Sequence, residues 1–117
     1  MQFNEVSFGG ALPIDSYGPG FFRIGGKVME GACLILPTGA CAWDGPDAPA
    51  PLIEAASEID LVVLGLGAEV GPLPFELLTE LQEAGIGVEP MITPTACRTY
   101  NVLLAEGRRV AAALLPV

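Results

Sequence analysis

The chain of 117 residues has no histidine, a single lysine (Lys27) and a single tryptophan (Trp43). Without an imidazole, neither a Cys/His nor a Ser/His relay can be assembled, and the commonest nitrogen ligand for zinc is missing. The three cysteines, Cys33, Cys41 and Cys97, are widely spaced and show no CxxC pattern, so a metal site is not expected. Cys33 and Cys41 flank a Pro37-Thr38-Gly39 turn, where hairpin geometry would allow a disulfide, although free buried thiols are the default in a reducing compartment. Positive charge is also scarce: five basic residues stand against fourteen acidic ones, for a formal charge of −9. Such a balance repels phosphate backbones and anionic lipid surfaces, which excludes nucleic acid as a partner. No apolar run approaches the ~20 residues that span a bilayer, and the first residues lack a basic segment leading into an apolar one. A cytoplasmic chain without membrane insertion is the expectation.

What is present is apolar: 51% of the side chains, enough for one domain over residues 1–117 with a single core. Residues 1–45 hold short apolar runs punctuated by glycine and proline, at Phe3 to Phe8, Phe21 to Ile24, Lys27 to Glu30, Ala32 to Leu36 and Ala40 to Trp43, which predicts strands joined by tight turns. Ser16 to Gly20 (SYGPG) reads first as a turn, with Tyr17 packed by its ring. Residues 45–51 (GPDAPAP) form a stiff connector too short to separate independent domains.

Beyond the connector, strands and helices alternate. A short helix opens at Pro51, a strand runs from Asp60 to Gly65, and a second helix spans Pro74 to Ala84 with Phe75, Leu77, Leu78, Leu81 and Ala84 assigned to its buried side. A strand follows over Ile86 to Met91. Thr93 offers a side-chain cap and Pro94 a first helical position for a helix to about Ala105, before a last strand over Arg109 to Leu115. These elements predict an α/β fold of three layers, β/β/α, in which a βαβαβ C-terminal unit with its helices on one common face joins a β-rich antiparallel N-terminal half.

Residues 93–101 (TPTACRTYN), with Ser16-Tyr17-Gly18, residues 20–24 (GFFRI) and residues 64–67 (LGLG), resemble a family labelled as a domain of unknown function. That family includes a mitochondrial respiratory complex I assembly factor and Mth-type domain proteins. The resemblance covers essentially the whole chain and implies the same three-layer fold, together with a non-enzymatic helper that holds another polypeptide during membrane-complex biogenesis and, for bacterial members, a suspected link to protein export. The strand-end turn usually resembles Gly-Thr-Gly in the family and is Gly65-Leu66-Gly67 here.

The residues that invite a functional reading are Tyr17, Arg23, Gly65, Gly67, Thr93, Cys97, Arg98 and Asn101. Gly65 to Gly71 follows a strand, and Glu89 lies where a ribose-binding acid would sit in a dinucleotide fold, but Pro72-Leu73-Pro74 keeps those glycines from leading into a helix N-terminus, so no nucleotide or other cofactor is expected. Cys97 lies in the first turns of its helix, where the dipole favours a thiolate. The helical projection nevertheless puts Cys97 at the flank of a buried face with Ala96, Tyr100, Leu103 and Leu104, and turns Arg98 outward. Arg23, Arg98, Arg108 and Arg109 could form a cationic island for an acidic partner segment, set against intramolecular pairing with Glu30 or Glu106. Asp15, Asp60 and Glu89 are the strand-end carboxylates to weigh for acid/base work, and they show no paired spacing. Two functions follow: a protein-binding assembly module, or a small-molecule binder or enzyme with a cleft between the Gly65 to Gly67 turn and the helix that starts near Thr93.

Overall fold

The computed structural model describes residues 11–117; the strand expected over Phe3 to Phe8 lies outside them. Five short antiparallel strands come first: β1 (Ile14–Gly18), β2 (Phe21–Ile24), β3 (Lys27–Glu30), β4 (Cys33–Leu36) and β5 (Gly39–Ala42). Then follow α1 (Ala50–Glu54), β6 (Leu61–Leu66), α2 (Phe75–Glu83), β7 (Gly87–Met91), α3 (Thr93–Ala105) and β8 (Val110–Leu115). The segment around Tyr17 is a strand rather than the turn its glycines and proline suggest. Its register with β2 shifts between Ile14 and Ser16, and a bulge at that point hides the alternation that would mark a strand.

Strands β1 to β3 form a small sheet in the order β1-β2-β3, and the rest form a five-stranded sheet in the order β5-β4-β8-β6-β7. Strand β6 is parallel to both β7 and β8, and β8 is antiparallel to β4. The α/β class, the βαβαβ unit and the antiparallel first half are therefore as the sequence implies. The common helix face is not. From β6 the chain steps to one side to reach β7, then returns across β6 to place β8 on the other side, and two right-handed crossovers in opposite directions put their helices on opposite faces of the sheet.

Side-chain alternation makes this visible. Cys33, Ile35, Val63, Ala112 and Leu114 face one way, into a core with Ile14, Phe22 and Ile24 of the small sheet and Ala96, Cys97 and Tyr100 of α3. Leu34, Val62, Leu64, Ala111 and Ala113 face the other way, against Leu52 of α1, Leu77 and Leu81 of α2, and Trp43. Both central strands are thus buried on both sides, which explains their unbroken apolar runs. Each fully buried large side chain, such as Phe22, Leu64 or Leu81, contributes about 1.5–3 kcal/mol. The Trp43 indole N–H donates to the Ala48 carbonyl at 3.1 Å, tying the proline-rich connector down over the second core.

The same register disposes of the hairpin disulfide. Cys33 pairs with Ala42 and Cys41 with Leu34, so the two cysteines sit one residue out of step and point to opposite faces of the sheet. All three cysteines are free thiols, with Cys41 exposed and Cys33 and Cys97 buried.

Candidate functional site

Helix α3 carries half of the residues singled out in the sequence, Thr93, Cys97, Arg98 and Asn101, and its inner and outer sides do different work. At its start Thr93 is fully buried, and its hydroxyl does not cap the helix. The Thr93 hydroxyl instead donates to the Leu115 carbonyl at 2.6 Å and accepts the Gly67 N–H at 2.8 Å, while the Thr93 N–H donates to the Gly67 carbonyl at 2.9 Å. The cap expectation fails because the hydroxyl satisfies the ends of β6 and β8 rather than the helix's own amides. Gly65 lies beneath it: a β-carbon there would come within 2.9 Å of the Thr93 Oγ1 and 3.2 Å of the Ala96 methyl, so only glycine lets the helix sit this close to the strand. Gly67, with φ of +92°, turns the chain where β6 ends. Gly65, Gly67 and Thr93 thus meet, as the reading of a cleft requires, but the Thr93 side chain occupies the space between turn and helix.

Two turns further, Tyr100 and Asn101 reach across to the start of β1. The Tyr100 hydroxyl donates to the Leu12 carbonyl at 2.9 Å. The Asn101 side-chain amide donates to the Ile14 carbonyl at 2.7 Å and its oxygen accepts the Ile14 N–H at 2.9 Å, a two-bond grip that imitates a neighbouring strand. Asn101 therefore holds the small sheet to α3. The pairing was beyond sequence reasoning because it joins residues 87 apart.

Cys97 lies under the helix, 5% exposed. Burial pushes its thiol up to about 11, and burial together with the neighbouring Cys97 and Cys41 thiols pushes Cys33 up to about 12. Burial also raises the Tyr100 phenol. Neither buried cysteine is a nucleophile at neutral pH, since only the thiolate reacts. In the unfolded chain these thiols ionise near 9.0, so above that pH the unfolded state has lost protons that the folded state keeps. Their contribution to stability is complete below about pH 9 and is lost as pH rises through the folded values of about 11 and 12. Urea titrations should show stability falling steadily above pH 9. At pH 8 a thiol reagent should modify Cys41 promptly, and Cys33 and Cys97 only once denaturant is added; labelling of Cys97 at the rate of Cys41 would contradict this packing.

The outer side of α3 is different. Arg98 is exposed and makes no ion pair among the described residues, and Val102, one turn on, is 50% exposed. Together with exposed Ala105 they form a ridge of one cation and small apolar groups. Of the other arginines, Arg23 lies on β2, while Arg108 and Arg109 follow α3 and border one hollow. Arg109 is held by Asp60 through a 2.8 Å ion pair and donates to the Ser57 carbonyl at 3.2 Å; this contact keeps the Asp60 carboxyl below its usual range. Both side chains are more than half exposed, so the pair adds little to stability. Arg23 lies on β2 opposite Val28 and borders a shallow hollow with Glu30, while Arg108 borders another with Glu58 and Leu104. Tyr17, 40% exposed, stands opposite Phe22 on the small sheet. Asp15 accepts the Gly26 N–H at 2.7 Å, and Asp15, Asp60 and Glu89 are all exposed on separate elements. Among the described residues no group of three potential metal ligands converges, and no helix is long and apolar enough to cross a membrane.

Comparison with known proteins gives a consistent family. A family model described as "Protein of unknown function (DUF498/DUF598)" matches residues 14–115. An uncharacterized protein of Rhodobacter capsulatus is 53% identical over 117 residues, covering all of this chain and 94% of that one. The NADH dehydrogenase [ubiquinone] 1 alpha subcomplex assembly factor 3 of Danio rerio is 39% identical over 110 residues, covering 88% of this chain but only 63% of its own length. Among solved structures, one described as an outer membrane protein from Bartonella henselae superimposes with a TM-score of 0.84 at 38% identity, covering 94% of this chain and 98% of that one.

Proposed function

The chain belongs to the DUF498/DUF598 family of proteins of unknown function, and from that membership and the two-sided build of α3 we propose that it is an assembly-factor-like interaction module that holds a polypeptide while a membrane complex is put together. The observation that carries this reading is the Arg98–Val102 ridge: a cation and an apolar side chain exposed on the one helix whose opposite side is fixed by hydrogen bonds and core packing. A rigid helix presenting such a ridge suits a segment of acidic and apolar residues, because the guanidinium forks onto a carboxylate while the apolar groups exclude water around it. The proposed client is a component of an NADH dehydrogenase-type complex, and the proposed place of action is the cytoplasm. No catalytic step is assigned: both buried thiols are held protonated, the Thr93 hydroxyl is consumed by the backbone, and Asn101 by β1.

Arg98→Glu tests it. Exposed substitutions usually change stability by no more than about 0.5 kcal/mol, so the melting curve should hardly move. Capture of dehydrogenase subunits from an extract should fall about tenfold or more, equivalent to ~1.4 kcal/mol, because a like charge now faces the acidic segment. A variant that unfolds would show that Arg98 has a structural partner, and a stable variant with undiminished capture would remove the ridge from the interaction.

A further inference from the structure

We propose a second docking surface on the opposite side of the central sheet, at Phe75, for a basic polypeptide segment that seats an apolar side chain beside the ring. The sequence reading assigns Phe75 to the buried side of α2, whereas it is 70% exposed. Helix geometry gives the reason: at roughly 100° per residue Phe75 lies about 160° around the helix from Leu77 and about 120° from Leu81, the two α2 residues fully committed to the core. With Pro46, Pro49 and Pro74 beside it, the exposed ring forms an apolar patch on which an incoming side chain can be anchored.

The surroundings of Phe75 specify the chemistry of what binds there. A shallow recess of about 280 Å³ is walled by Phe75 with Pro46, Pro49 and Pro74, and its charged groups are Asp47, Glu76 and Glu80. Among the described residues no cation lines it, and the chain's arginines lie on other elements, so the negative potential at the rim is not relieved locally. Lysine and arginine on an incoming segment would meet three carboxylates while an apolar residue between them packs on the ring and the prolines. The same carboxylates disfavour the other occupants. A second copy of this chain meeting Phe75 to Phe75 across a twofold axis would set acidic rims against each other, and an anionic membrane would be repelled.

The test is an amide NMR titration of the full chain with a cationic amphipathic peptide of alternating leucine and lysine carrying one tryptophan, compared with the same peptide bearing glutamate at every lysine. Shifts confined to residues 46–49 and 74–80, seen with the lysine peptide and not with the glutamate peptide, are expected, with affinity at least tenfold lower for Phe75→Ala and for Glu80→Lys. Arg98→Glu should bind the peptide as tightly as the parent chain, which separates this surface from the ridge on α3. Melting curves establish that the variants fold, and Glu80→Lys carries the test if Phe75→Ala does not. Equal binding of the two peptides, shifts elsewhere, or unchanged affinity in a folded Phe75→Ala would overturn the proposal. So would association of the chain with itself, or binding to phosphatidylglycerol vesicles, that depends on Phe75.

Discussion

Thr93→Val should cost about 2–4 kcal/mol of stability although it replaces one hydroxyl by a methyl group. The Thr93 Oγ1 is buried where β6, β8 and α3 meet, and it serves both the Gly67 N–H and the Leu115 carbonyl. Valine keeps the branched shape and helix start but leaves a donor and an acceptor without partners, each worth about 1–3 kcal/mol when desolvated. Thr93→Ser, which keeps the hydroxyl, should retain most of the stability. Urea unfolding of the two variants side by side measures this, and a loss below ~1 kcal/mol for valine would mean that the hydroxyl is not a structural joint.

Asn101→Leu should have the next largest effect, about 2–3 kcal/mol, with a spatial signature. Both hydrogen bonds of the side chain go to Ile14, so their loss removes the polar tie between α3 and Ile14, while the start of β1 keeps its pairing with β2, the Gly25 N–H bond to the Pro13 carbonyl, the Tyr100 bond to Leu12 and the packing of Ile14. Hydrogen exchange at the Ile14 amide should accelerate far more than at the amides of β6 and β8, which open only with the whole sheet. Uniform acceleration across the sheets would show that Asn101 supports the global fold rather than this one junction.

The features legible in the sequence were those decided by local pattern. Strands β2 and β3 fall where short apolar runs lie between glycines, and α2 stops at Gly85, whose φ of +86° is the left-handed stop a glycine supplies. The inward place of Cys97 and the outward place of Arg98 follow from a 100° projection alone. What escaped was decided by partners distant in sequence. Strand order determines the helix faces, and nothing in the periodicity of α2 or α3 reports that β8 returns across β6. Thr93 before a proline is indistinguishable from a capping residue until β8 is known to end beside it. Phe75 was drawn into the core by its hydrophobicity, although its angle around α2 sets it apart.

The most direct test of α3 as a client-holding helix is to replace Val102 with a photo-crosslinking amino acid in living cells and irradiate them. Position 102 is exposed beside Arg98 and faces away from the core, so the chain should yield a discrete polypeptide adduct that disappears when Arg98→Glu is added. Absence of an adduct at 102, or an adduct that persists undiminished with Arg98→Glu in a folded chain, would contradict the account.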